Sequence, residues 1–380
     1  MRPLTVLQLV PALESGGVER STLEISDALV REGHRALVVS AGGRLVPQLL
    51  AGGAEHIALD IGRKSPMTLR QVAPLRRLIE SEGVDIVHAR SRIPAWVAVL
   101  ALRGLPIARR PRLVTTVHGL NSPSRYSAVM TRGERVICVS ETVRRYVLQH
   151  YPGTDPGKLR IVPRGIDPGA FARAAWPDPR ARQWAAAQHP ALDGEGPLLL
   201  LPGRGTRLKG HADAIVLLAD LRRSGIDARL WLPGARAAGR ETYIAGLQKL
   251  ARELEVADAL AFTAPTGAIA RAYAASDLVL QLSRKPEAFG RTVVEALSVG
   301  RAVLGWDHGG VGELLRELQP GGAVAPFDAA ALAATARRLL VRSASQDARE
   351  VPLDIPYTLH AMQRATLSVY AELADPARRA

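Results

Sequence analysis

A chain of 380 residues exceeds what a single hydrophobic core usually supports, so two domains are expected. With 47% hydrophobic and 23% charged residues it reads as a soluble globular protein, and a lone cysteine, Cys138, excludes a disulfide within the chain and fits a reducing cytoplasm. The formal charge of +14 is unevenly spread: residues 1–172 hold 24 basic and 14 acidic side chains, against 26 and 22 in the remainder. Arginine makes up nearly all of the excess, which heavy Ala and Arg usage across a genome would also produce. The cluster Arg63, Lys64, Arg70, Arg76, Arg77, Arg103, Arg109, Arg110 and Arg112 nevertheless suits a phosphorylated acceptor or an anionic lipid surface. Aromatics are only 4% and are not interleaved with that cluster as stacking platforms, so nucleic acid is not the expected partner.

In chain order, short apolar runs alternate with helix-period segments. Leu4 to Val10 reads as a strand, Val18 to Arg31 as a helix with Val18, Thr22, Ile25 and Leu29 on one face, and Ala36 to Ser40 as the next strand. Met1 to Val10 runs into Glu14 and Ser15 without the pattern of a secretion signal, and the apolar stretch Ile93 to Leu105 is interrupted by Arg103 and too short for a bilayer. Further strands are expected at Ile86 to His88, Leu113 to Val117, Val136 to Val139 and Leu159 to Val162. After a Pro- and Ala-rich stretch, Pro168 to Pro197, the alternation restarts at Leu198 to Leu201, Ala228 to Leu232, Ala259 to Phe262, Leu278 to Leu282 and Ala302 to Leu304. The fold class is therefore α/β: two doubly wound parallel-sheet, Rossmann-like domains, with a last helix at Tyr357 to Leu373 packing back on the first. The expected divisions are 1–170, 171–355 and 356–380. Ligands of such sheets bind beyond the strand C-terminal ends, so the gap between the domains is the expected site.

Several motifs fall at those strand ends. Gly16 and Gly17 open the first helix and let backbone approach a phosphate or a sugar. Arg204 and Lys209 follow the first strand of the second domain and suit a diphosphate, the first as a fork of donors and the second as a point charge. Glu287 and Glu295 have seven residues between them. With a helix starting near Gly290, the first lies in the preceding loop and the second about one and a half turns in, facing different parts of one ligand. Backbone amides from Phe289 through Gly290 and Arg291 to Thr292 sit at that helix start and can hold an anion. His118 ends a strand and is expected to project into the site, with His88 in a similar position. No complete G-x-G-x-x-G, P-loop or Asp-x-Asp motif occurs, and His34, His88, His118 and His211 do not have metal-ligand spacing. No cofactor and no metal are expected. Cys138, inside Val136-Ile137-Cys138-Val139, reads as a buried structural thiol.

These motifs together resemble the family-4 retaining glycosyltransferases of the GT-B fold. The resemblance is carried by Gly16-Gly17-Val18-Glu19, Val87-His88-Ala89, Val117-His118-Gly119, Val139-Ser140-Glu141, Val162-Pro163-Arg164-Gly165-Ile166-Asp167, Gly203-Arg204 with Lys209-Gly210, and Glu287 to Glu295. It implies an enzyme that moves a hexose-type sugar from a nucleotide diphosphate sugar, with a UDP-sugar favoured. In this pattern Glu287 holds donor-sugar hydroxyls, Glu295 the ribose, and Arg204 and Lys209 the diphosphate. Ala288 to Thr292 add donor contacts, His118 touches the donor sugar, and Gly16 and Gly17 close over the phosphates. Val87 to Pro94 with Thr115 to Met130 is similar to the acceptor region of lipopolysaccharide and surface-polysaccharide transferases. That implies His88, Arg90 and Asn121 as acceptor contacts and a lipopolysaccharide core or lipid-linked glycan as acceptor; the lone cysteine and the basic first half point separately to a cytoplasmic protein peripheral on the inner face of the membrane. Arg164 stands where the family commonly has Asn, and Gly267-Ala268 lacks the acidic residue often found there.

Overall fold

The computed structural model describes residues 2–14, 16–344 and 354–374. The chain divides into two compact units: one formed by residues up to Arg164 together with Leu359 onward, the other by Gly165 to Thr358. These limits lie a few residues from the expected ones, and 345–353 and 375–380 of the expected divisions fall outside the described residues.

The first unit contains strands β1 Thr5–Leu9, β2 Arg35–Ser40, β3 Glu55–Ala58, β4 Ile86–Ala89, β5 Arg112–Val117, β6 Arg135–Cys138 and β7 Leu159–Ile161. Its helices are α1 Gly17–Arg31, α2 Val46–Ala51, α3 Val72–Ser81, α4 Arg92–Arg103 and α5 Glu141–His150. All strand pairs are parallel, in the order β3-β2-β1-β4-β5-β6-β7. Helices cover such a sheet on both faces, which is why its central strands read as unbroken apolar runs. Val6, Leu7 and Leu9 of β1 and Val87 and Ala89 of β4 are fully buried. Strand β3 escaped the sequence reading because it is an edge strand, Glu-His-Ile-Ala, with no fully buried residue and a charged first position.

The second unit contains α6 Pro179–Ala186, β8 Leu198–Leu200, α7 His211–Arg223, β9 Arg229–Pro233, α8 Glu241–Glu253 and β10 Leu260–Thr263. It continues with α9 Ile269–Ala275, β11 Leu278–Gln281, α10 Arg291–Ser298, β12 Ala302–Trp306, α11 Gly309–Leu318, β13 Ala323–Val324 and α12 Ala329–Ala344. Its sheet is again parallel, in the order β10-β9-β8-β11-β12-β13. In both sheets the winding direction reverses once, between β1 and β4 and between β8 and β11. At such a reversal two neighbouring loops diverge and leave a crevice for ligand.

The last helix, α13 Leu359–Ala374, belongs to the first unit, as the fold class expects. Met362, Val369, Tyr370 and Leu373 enter the core containing Leu23, Ile25 and Leu29 of α1. Polar contacts fix its rotation. Glu372 accepts from Arg135 at 2.8 Å and Arg160 at 2.9 Å, and Gln363 donates to the Glu24 carbonyl at 2.7 Å. Hydrogen bonding by Arg160, then Arg135, lowers the Glu372 carboxyl pKa to about 2. Cys138 is buried, and burial pushes its thiol up to about 12, which keeps it an inert core group.

Candidate active site

In the second unit the two loops at the strand reversal, after β8 and after β11, bring Lys209 and Glu287 together. The first loop can cross the end of β11 only because Gly210 has no side chain. Its φ is +75°, and a Cβ there would lie 2.0 Å from the Leu282 carbonyl oxygen. The second loop is pinned by the start of α11, where the Gly310 amide donates to the Glu287 carbonyl at 2.7 Å. A Cβ on Gly310 would come within 2.5 Å of the Phe289 backbone.

On this frame Lys209 Nζ donates to Glu287 Oε1 at 2.6 Å. The Ser283 hydroxyl lies 2.5 Å from the same oxygen, and Gln281 Nε2 approaches Glu287 Oε2 at 3.4 Å. His308 Nε2 is 2.8 Å from the Ser283 carbonyl; because a carbonyl only accepts, the ring carries a proton on that nitrogen. Lys209 and Glu287 each keep about a quarter of their side chains exposed, 29% and 25%, so the pair is fixed yet open to a ligand. An ammonium has three donors, and Glu287 occupies one of them. Arg204, in the same loop as Lys209, is exposed and forms no side-chain hydrogen bond or ion pair among the described residues.

Glu295 is held differently. On the first turns of α10 it accepts from Arg291 Nε at 2.8 Å and from the Tyr273 hydroxyl at 2.8 Å, and only 13% of it is exposed. Burial, reinforced by Glu295, raises the Tyr273 phenol well above its usual range, so it stays a proton donor to that carboxylate. Helix α10 begins at Arg291, one residue from the expected start, after Gly290 at φ +101°. Its first amides, including Thr292, lack intrahelical acceptors as at any helix start. Ala288 and the buried Phe289 form the loop before it.

In the first unit, Gly16 and Gly17 follow β1 and begin α1; a Cβ on Gly17 would meet open space. His118 sits just beyond β5. Arg164, absent from the expected site residues, hydrogen-bonds His118 Nδ1. A guanidinium can only donate, so Nδ1 accepts and the proton of neutral His118 resides on Nε2, an enclosed atom with no partner. Burial, then Arg164, Arg90 and His88, depresses its pKa well below the usual value. His118 is thus a neutral ring with one unspent N–H.

His88 and Arg90, expected at the acceptor, are buried instead. His88 Nδ1 meets the Tyr370 hydroxyl at 2.6 Å and Nε2 meets Thr116 Oγ1 at 2.6 Å, while Arg90 donates to Gln8 at 2.8 Å and Ser21 at 2.6 Å. Both ring nitrogens of His88 are spent inside the fold, which corrects the acceptor reading for that residue. Arg90 retains only a buried Nε, and burial pushes its guanidinium down to about 10. A cavity of about 10 Å³ beside them has room for a single water. Asn121 is half-buried near the end of β5, and its carbonyl accepts from Tyr146.

The structure brings two of the residues singled out in the sequence, Lys209 and Glu287, into contact and holds Glu295 apart from them; Ser283, Gln281, Tyr273 and Arg164, which contact these residues or His118, and His308, which contacts Ser283, were not singled out as site residues. Gln281 and Ser283 were discernible as polar residues at the end of the apolar run Leu278 to Leu282, and His308 as the residue before Gly309-Gly310. Among the described residues no group of three or more His, Cys, Asp or Glu could hold a metal ion, and no helix is long and apolar enough to cross a membrane.

Two parallel Rossmann-like units, each with polar side chains at the strand reversal, define the GT-B class. The sequence profile of Glycosyltransferase Family 4 matches residues 15–170, and that of Glycosyl transferases group 1 matches residues 183–350. The chain belongs to the family-4-type GT-B glycosyltransferases. It is 29% identical over 231 residues to D-inositol 3-phosphate glycosyltransferase of Segniliparus rotundus, covering 60% of this chain and 47% of that protein. The chain thus spans about half the length of that curated relative. Among solved structures, a glycosyltransferase from Rickettsia africae ESF-5 superposes with a TM-score of 0.85 at 26% identity, covering 99% of this chain and 100% of the other. Anabaena Alr3699/HepE, solved with UDP and glucose, has a TM-score of 0.73 at 20% identity, with 99% and 100% covered, a likeness of fold.

Proposed function

We propose that this chain moves a hexose-type sugar from a nucleotide diphosphate sugar to a lipopolysaccharide core or lipid-linked surface glycan, with retention at the anomeric carbon and without a metal. A UDP-sugar is the favoured donor, in keeping with the UDP bound by the Anabaena neighbour. The observation that carries the reading is the Lys209–Glu287 pair at 2.6 Å, drawn from the two loops at the β8/β11 reversal, with unpaired Arg204 in the same loop as Lys209.

The chemistry follows from charge. As the bond from the anomeric carbon to the diphosphate oxygen breaks, positive charge grows on the sugar and negative charge on the leaving group. Lys209 and Arg204 would stabilise the latter, each contributing about 3 kcal/mol by analogy with oxyanion donors. Glu287 would accept from sugar hydroxyls and Glu295 from the ribose, while His118 would offer its Nε2 proton as a hydrogen bond. For retention, the acceptor oxygen would bond to the anomeric carbon on the face the diphosphate leaves, and the departing phosphate oxygen would take the acceptor's proton. In the first unit Arg103, Arg110, Arg132 and Lys158 line a cavity of about 790 Å³ whose one carboxylate among the described residues, Glu134, pairs with Arg112 at 2.6 Å. Such a surface favours an anionic acceptor or membrane.

The test is a melting-temperature panel with UDP, GDP, ADP and their sugars, since a ligand that binds only the native state raises the transition. UDP-sugars are expected to give the largest rise, and transfer to persist in EDTA. A protein that responds to none of these nucleotides does not have the proposed activity.

A further inference from the structure

At the C-terminal edge of the first sheet, a cavity of about 520 Å³ opens between the loop after β3 and the start of α4. Its lining is segregated. Leu69, Trp96 and Tyr126 supply apolar walls, and Leu69 and Tyr126 remain 55% and 41% exposed. Arg63, Lys64 and Arg92 supply the charge, and no carboxylate lines the cavity among the described residues. The nearest acid paired with this group, Asp60, reaches Arg63 only at 3.8 Å.

The walls are held in shape. Trp96 Nε1 donates to the Tyr126 carbonyl at 3.0 Å, the Arg92 guanidinium lies 5.4 Å from the centre of the Tyr126 ring, and Arg132 lies 5.0 Å from that of Trp96. Those contacts keep two large aromatic side chains at the surface around a gap that the protein itself does not fill. An exposed apolar slot normally marks a binding site, and one with three cations and no acid selects an anion.

We propose that this slot binds one molecule of an anionic amphiphile, an alkyl or prenyl chain ending in a phosphate. The chain lies against Leu69, Trp96 and Tyr126, and the phosphate meets Lys64, Arg63 and Arg92. The slot is read from its own lining; its assignment to the lipid part of the acceptor rests on the transferase reading above.

Calorimetry with dodecyl phosphate below its micelle concentration tests it. Saturable one-site binding is expected, weakened at least tenfold in Leu69→Asp and in Lys64→Glu, two exposed positions whose variants are first checked for an unchanged melting temperature. Inorganic phosphate and dodecyltrimethylammonium are expected not to bind. Equal affinity for the ammonium amphiphile, or unchanged binding in both variants, overturns the proposal. So does binding confined to phosphatidylglycerol vesicles with none to the monomer, which makes this face a bilayer contact. The transferase reading is judged separately by the wild-type response to nucleotide sugars. If that response is absent while dodecyl phosphate still binds, the slot survives and its link to the acceptor does not.

Discussion

Lys209 and Glu287 neutralise one another at 2.6 Å, and each is the other's only ion-pair partner among the described residues. Removing Lys209 leaves the Glu287 carboxylate with only neutral side-chain neighbours, Ser283 and Gln281, and removing Glu287 leaves the Lys209 ammonium without its ion-pair partner. Lys209→Ala and Glu287→Gln are each expected to lower kcat/KM by about 10²–10³ with the melting temperature nearly unchanged, as for the loss of one oxyanion donor. Steady-state kinetics beside thermal melts check both. His118 makes a different prediction, because burial and Arg164 keep its ring neutral. The activity profile between pH 6 and 9 should hold no limb that His118→Asn abolishes. Asn retains an N–H donor and should keep most of the rate, whereas Ala should lose about a hundredfold. The linkage has a definite sign. The unfolded chain protonates its histidines below about pH 6.5 while folded His118 does not, so this site favours unfolding as the pH falls. Lys209, Glu287 and His118 could be singled out because strand ends are legible as breaks in apolar runs. Arg164 could not, since its contact with His118 spans 46 residues and no local pattern encodes it.

Among the elements, α13 shows best how one side chain can anchor a helix. Glu372 accepts from two arginines on neighbouring strands, which lower its carboxyl pKa to about 2, well below the usual glutamate range. A depressed carboxylate stabilises the fold above its unfolded pKa and loses that contribution as the pH falls through the folded one. Glu372→Gln is therefore expected to cost about 1–2 kcal/mol at pH 7, discounted for a partly exposed pair, and close to nothing at pH 2. Urea titrations at several pH values measure it. Core strands were legible because burial on both faces demands continuous apolar sequence, and α1 and α13 were legible as helix-period segments. Strand β3 was not, being half-exposed at the sheet edge, and neither was β13, whose two residues carry no period.

For the whole molecule the basic bias of the first half is the property that composition predicts and topology organises. Binding to phosphatidylglycerol vesicles is expected at low ionic strength and should fall steeply as salt shortens the Debye length from about 30 Å at 0.01 M to about 8 Å at 0.15 M. Co-sedimentation reads this out, and failure to pellet at low salt removes the membrane component. The two-unit division was legible from the restart of the alternation after Pro168 to Pro197. Its boundary moved back to Arg164 because Ile166 pairs with Thr358, which draws the segment after Gly165 into the second unit.

That same division governs how the protein must emerge from a ribosome. The hydroxyl that meets His88 Nδ1 and the apolar side chains that cover α1 reside on α13, beyond the entire second unit. At ~5–20 residues per second, the nascent first sheet waits about 10–40 s, while Gly165 to Thr358 is translated, before its final layer exists. During that interval an unshielded greasy seam faces water, a natural place for a chaperone to hold on.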